Sequence, residues 1–116
     1  MGGVDGTKTI RLDTLLEKET GSRIVVKLDL EGAEYQTLHE ATDWLKQEKS
    51  VALLCAVYHR HDDANRLSKL FRDWGYQTEM SDGYMLFLHD KLETPYFRHG
   101  ILRAWGEDFV RQASII

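Results

Sequence analysis

The sequence predicts an α/β fold, a mostly parallel sheet with helices on its faces and a C-terminal antiparallel hairpin. Two observations carry this expectation. Apolar segments of strand character, centred on Ile24-Val25-Val26 and Val51-Ala52-Leu53-Leu54, alternate with segments of helical period. Near the end, Ser81-Asp82-Gly83 separates two further short strand-like runs. Alternation of strand and helix implies parallel strands joined by crossovers, and Asp-Gly between strands signals a tight reversal.

Taken in order, Thr7 to Leu12 alternates polar and apolar residues and suits a short strand. Thr14-x-x-Glu17 reads as a capping box opening a short helix that stops at Gly21. Ile24-Val25-Val26-Lys27-Leu28 follows, nearly continuous in apolar character, as expected of a strand covered on both faces. From Gly32 to Lys49, Leu38, Ala41 and Leu45 recur at helical spacing, with Glu34, Gln36, Glu40, Asp43 and Lys46 free to face water. Val51 to Tyr58 is the most hydrophobic stretch and reads as a buried central strand. A second helix carries Ala64, Leu67, Phe71 and Trp74; Asp62 or Asp63 caps its start, and Gly75 takes the left-handed position at its end. Tyr76 to Met80 and Tyr84 to Leu88 form the predicted hairpin. Beyond Pro95, Arg98, His99 and Arg103 with Tyr96, Phe97 and Trp105 suit phosphate binding or base stacking as one alternative, but the favoured expectation is that the aromatics pack while the arginines stay wet, ahead of a mixed tail from Gly106 to Ile116.

Composition narrows the function classes. The 116 residues hold 15 Lys+Arg and 19 Asp+Glu, a formal net charge of −4, which disfavours a nucleic-acid binder held by phosphate contacts. That length suits one domain, residues 1–116, with a glycine-rich start (1–6) expected to be disordered. No apolar run approaches the roughly 20 residues that span a bilayer, and the first residues do not resemble an export signal. One cysteine builds no internal disulfide, which fits a cytoplasmic setting. Walker and G-x-G-x-x-G loops are absent.

Two strand ends gather groups able to do chemistry. Asp29-Leu30-Glu31-Gly32-Ala33-Glu34 collects carboxylates where a strand turns into a helix, and Tyr58-His59-Arg60-His61-Asp62-Asp63 places an imidazole after the central strand. In open α/β sheets ligands sit beyond the carboxyl ends of strands, so Asp29, Glu31 and His59 are the candidate catalytic residues. The plainer alternative makes Asp29 and Glu31 helix-start residues and His59 a hydrogen-bonded structural histidine. His59-x-His61-x-Asp63 also copies the first part of a dinuclear zinc-hydrolase motif, but Ala64 stands where that motif continues with histidine. Cys55, inside the central strand, reads as a core residue.

Lys27-Leu28-Asp29-Leu30-Glu31-Gly32-Ala33-Glu34 resembles the K-x-D-x-E-G-A-E signature of the FkbM-type methyltransferases, S-adenosylmethionine-dependent O-methyltransferases. Arg11-Leu12-Asp13-Thr14-Leu15-Leu16 is similar to the family's upstream T-L-D-x-L-L segment. Ala56-Val57-Tyr58-His59 and Trp74-Gly75-Tyr76 resemble its next strand end and its later G-Y. The resemblance runs in order over residues 7–90. It implies the C-terminal half of a Rossmann-like methyltransferase domain, because the family's glycine-rich cofactor loop lies upstream of the T-L-D segment. It further implies S-adenosylmethionine as cofactor and a hydroxyl of a small molecule or saccharide as acceptor; no metal site is expected. Asp29 would lie beside the transferring methyl group, Glu31 would shape the turn, His59 would approach from the adjacent strand end, and Asp13 would support the cofactor pocket. A half-sheet would leave an unpaired edge at Ile24 to Leu28, so a homodimer or a separate partner chain is expected. The competing expectation is a non-catalytic interaction module that keeps the fold.

Overall fold

A computed structural model of the chain describes residues 11–19, 23–86 and 97–109. Residues 7–10 of the strand expected from Thr7 to Leu12, the stop at Gly21, Tyr96 and the last seven residues lie outside them, and Leu12 itself is helical. Helix α1 spans Leu12–Leu16 and continues into a 3₁₀ turn at Glu17–Glu19. Its N-cap is Arg11 in an extended conformation, three residues before the expected cap, so Thr14 lies within the helix and caps nothing. The Asp13 carboxylate holds Arg11 at 3.1 Å and accepts the Thr14 amide at 2.8 Å.

Strands β1 (Ile24–Leu28), β2 (Val51–Ala56), β3 (Gln77–Met80) and β6 (Ile101–Trp105) form a sheet in the order β1-β2-β6-β3. β1 and β2 are parallel, whereas β6 is antiparallel to both β2 and β3. β3 therefore runs in the direction of β1 and β2. The sheet is mixed, not mostly parallel, because the last strand inserts between two strands that share a direction. The expected hairpin is also corrected: β3 pairs with β6, while β4 (Met85–Leu86) pairs with β5 (Phe97–Arg98) in a second, two-stranded sheet. Asp82-Gly83 still reverses the chain, with Gly83 at φ 76°.

One sheet face is buried and the other is not. Val51, Leu53 and Cys55 of β2 and Leu102 and Ala104 of β6 join Leu38, Leu45, Leu67 and Phe71 from the helices in one core. On the opposite face Val25 is 60 % exposed, and Lys27, Gln77, Glu79 and Arg103 are exposed. β1 thus alternates instead of being covered on both faces: Val25 and Lys27 are exposed, while Leu28 is buried.

The helical stretch after Gly32 is two helices, α2 (Glu34–Glu40) and α3 (Thr42–Gln47), broken at Ala41 with φ −97° and ψ 12°. The break keeps Leu38, Ala41 and Leu45 in the core. Helix α4 (Asp63–Asp73) follows the predicted pattern, burying Leu67, Leu70 and Phe71. It ends at Gly75, whose φ of 84° is the left-handed stop that a residue without Cβ adopts readily. Tyr76, buried just after this stop, donates its hydroxyl to the carbonyls of Leu45 and Glu48, tying α3 to the start of β3. At the C-terminal side the Phe109 amide donates to Lys49 O at 3.0 Å.

Candidate functional site

Parallel pairing of β1 with β2, in register Leu28↔Cys55, brings their carboxyl ends to the same edge of the sheet. The two acidic and basic tips read from the sequence consequently meet. His59 Nε2 lies 2.7 Å from Asp29 Oδ1, and Nδ1 lies 4.0 Å from Glu31 Oε2. The three predicted catalytic residues form one group, with a ligand-type atom of each within 4.8 Å of the others. Exposure separates their roles: the His59 side chain is 13 % exposed, Asp29 53 % and Glu31 90 %.

The turn that carries the carboxylates is held in a left-handed conformation. Glu31 has φ 53° and Gly32 φ 97°. Glycine suits the second position, since a Cβ there would be strained and would lie 3.2 Å from Arg60 Nε. Arg60 uses that same Nε to donate to Gly32 O at 2.6 Å, which ties the second tip to the first. Glu34 braces the turn from within. Fully buried, it accepts the Leu30 amide on Oε2 and the Gly32 amide on Oε1 at 3.1 Å. The expectation that Glu34 faces water is therefore overturned. The turn's backbone donors point inward, and a carboxylate at the first position of α2 satisfies them.

Glu34 Oε2 also stands 3.6 Å from His59 Nε2. Two carboxylates facing one imidazole nitrogen favour a proton there, which leaves Nδ1 as the acceptor nitrogen. Tyr58 packs against His59 with ring centroids 4.3 Å apart and planes tilted by 45°, and its hydroxyl reaches Asp29 Oδ2 at 3.5 Å. Loss of solvent, reinforced by the charges of Asp29 and Glu31, raises the Tyr58 hydroxyl pKa, so the phenol stays protonated.

Behind these groups lies a second, enclosed layer. Asp63 is fully buried; its Oδ2 accepts the Arg60 amide at 2.9 Å, and its Oδ1 has no hydrogen-bond partner. Burial, with a contribution from Glu34, raises the Asp63 pKa against the pull of the Arg60 amide. Cys55 is buried as expected, and desolvation together with Glu34 and Asp63 pushes its thiol well above the ordinary range. A thiol kept protonated is no nucleophile.

The remaining predicted residues lie elsewhere or act differently. Asp13 spends its carboxylate on Arg11 and Thr14. His61 is exposed, and the converging ligand set contains neither it nor Asp63. Arg98 and Phe97 reverse their expected roles: Arg98 is 5 % exposed and donates to Tyr58 O at 2.9 Å, while Phe97 is 61 % exposed. Short strand β5 turns Arg98 inward, where its guanidinium supports the backbone just before His59. Sequence reasoning gave no role to Glu34, Tyr58, Arg60 or Arg98. Glu34 had a signal, as the last residue of the acidic segment; the others are recognisable only through contacts across the chain.

No protein-family model, curated protein or solved structure matches the chain.

Proposed function

We propose that this chain carries the acceptor side of a methyl-transfer site of the FkbM type, in which Asp29 and His59 orient a hydroxyl group and take its proton. The supporting observation is the 2.7 Å contact between His59 Nε2 and Asp29 Oδ1 at the carboxyl ends of two parallel neighbouring strands. The resemblance requires that these residues meet, although 30 positions separate them in the chain. Three strands of common direction with one late antiparallel strand also suit the partial Rossmann-like sheet of that resemblance.

S-adenosylmethionine, when bound, supplies an electrophilic methyl group. The donor set fits a sulfonium: Asp29 and Glu31 are exposed carboxylates on the rim, and negative charge there favours a cation. Asp29 holds Nε2–H and fixes the ring, so His59 Nδ1 faces outward as the base for an acceptor hydroxyl. Glu34 and Arg60 keep the two tips in place, which is the orientation that transfer of this kind depends on. The acceptor is a small molecule or saccharide bearing a hydroxyl.

β1 ends the sheet, and its outward face shows Val25 to solvent. A second copy, or a separate chain completing the cofactor side, pairs along this edge in the proposed assembly.

Amide chemical-shift mapping with S-adenosylmethionine at millimolar concentration tests the reading. Perturbation of Asp29 to Gly32 and of Tyr58 to His61 is expected. Shifts confined to other parts of the chain, or none, refute it.

A further inference from the structure

The site holds more negative charge than its own cations balance. Around the half-buried imidazole stand Asp29 at 2.7 Å, Glu34 at 3.6 Å and Glu31 at 4.0 Å, three carboxylates against one histidine. Arg60 and Arg98 donate to the backbone carbonyls of Gly32 and Tyr58. The geometry points to a divalent transition-metal ion as the missing charge, bound by Asp29, Glu31 and His59. This inference extends the acceptor-side reading of the same residues and rests on the same meeting of two strand tips.

Several features distinguish the group from a solvated acidic rim. It mixes one imidazole nitrogen with two carboxylates, a donor set that favours zinc or manganese over magnesium or calcium. The atoms lie within 4.8 Å of one another across two separate segments. His59 Nε2 and Asp29 Oδ1 already face each other at 2.7 Å, close to the roughly 3–4 Å that separates ligands about 2.0–2.2 Å from a zinc ion. The same ring nitrogen faces a fully buried carboxylate, Glu34, 3.6 Å away, whose two oxygens are fixed by the Leu30 and Gly32 amides. The ion takes the place of the Nε2 proton between His59 and Asp29, so in the metal-bound state His59 is a ligand and not the base. Three protein ligands on an open rim leave coordination positions for a hydroxyl oxygen, whose proton becomes more acidic on the metal.

Isothermal titration calorimetry with zinc chloride and with manganese chloride on the full chain tests this without S-adenosylmethionine, so the cation and methyl-transfer readings fail separately. One ion per chain is expected, with magnesium at least tenfold weaker. Glu31→Gln changes a side chain that is 90 % exposed and leaves the fold alone; it is expected to weaken zinc at least tenfold, as is His59→Ala. His61→Ala is expected to bind as the unaltered chain does. Circular dichroism of each variant separates lost binding from lost structure, and the Glu31 variant decides if the His59 variant unfolds. Absence of binding, unchanged binding in Glu31→Gln, or loss in His61→Ala would each overturn the inference.

Discussion

At the scale of single residues, the behaviour of the carboxylates is set by what surrounds them. Asp63 and Asp13 show the contrast. Burial lifts the Asp63 pKa above its ordinary 3.8, whereas the Arg11 guanidinium and the Thr14 amide draw that of the half-buried Asp13 below it. The consequences for stability have opposite signs. With a raised folded value, the native state binds the Asp63 proton more tightly than the unfolded chain does. Its contribution therefore favours folding most at acid pH and is lost as pH rises from 3.8 through the raised value. Asp13 works the other way, favouring folding above its unfolded value and losing that effect as pH falls. Asp63→Asn keeps an oxygen for the Arg60 amide and removes the titration. Urea unfolding of both proteins from about pH 3.5 to 7 is expected to show the variant gaining on the parent as pH rises. Parallel pH profiles would show that Asp63 does not titrate differently on folding.

At the scale of elements, the turn between β1 and α2 depends on a tertiary brace. Around its left-handed pair, Glu31 and Gly32, the Leu30 and Gly32 amides donate to Glu34, and Arg60 from the next tip clamps the Gly32 carbonyl. Glu34→Ala would leave the Leu30 and Gly32 amides without their acceptor in a buried place. A loss of about 2–4 kcal/mol is expected, with Glu34→Gln losing less because its carbonyl oxygen still accepts. Denaturant midpoints at constant m-value measure both. An alanine variant within about 0.5 kcal/mol of the parent would remove the brace. The elements also show where pattern reading succeeds. Strand β2 and helix α4 are long, strongly periodic and near their expected bounds, since each buries one coherent set of side chains. The single helix expected after Gly32 fails at Ala41, because its spacing suits both one bent helix and two short ones.

At the scale of the whole molecule, the sheet is two-layered over the described residues, with an open face and an edge strand at β1. An apolar edge of this kind is a template for strand pairing. In the assembly proposed above, sedimentation equilibrium of the purified chain is expected to give a dimer mass in the micromolar range. A single monomer mass across that range would show that the edge is protected in another way.

Residue by residue, the local sequence determined a great deal: the apolar central strand, the stripe on α4, the glycine stop at Gly75, and the candidacy of Asp29, Glu31 and His59. Such features depend on periodicity and on the conformational range of one residue, which neighbours along the chain already define. Strand order, the insertion of β6 between β2 and β3, and the burial of Glu34, Asp63 and Arg98 were decided only by tertiary structure. Hydrogen-bond pairing between strands and the desolvation of a charge depend on groups far apart in sequence, and those distances exist only once the sheet has closed around its core.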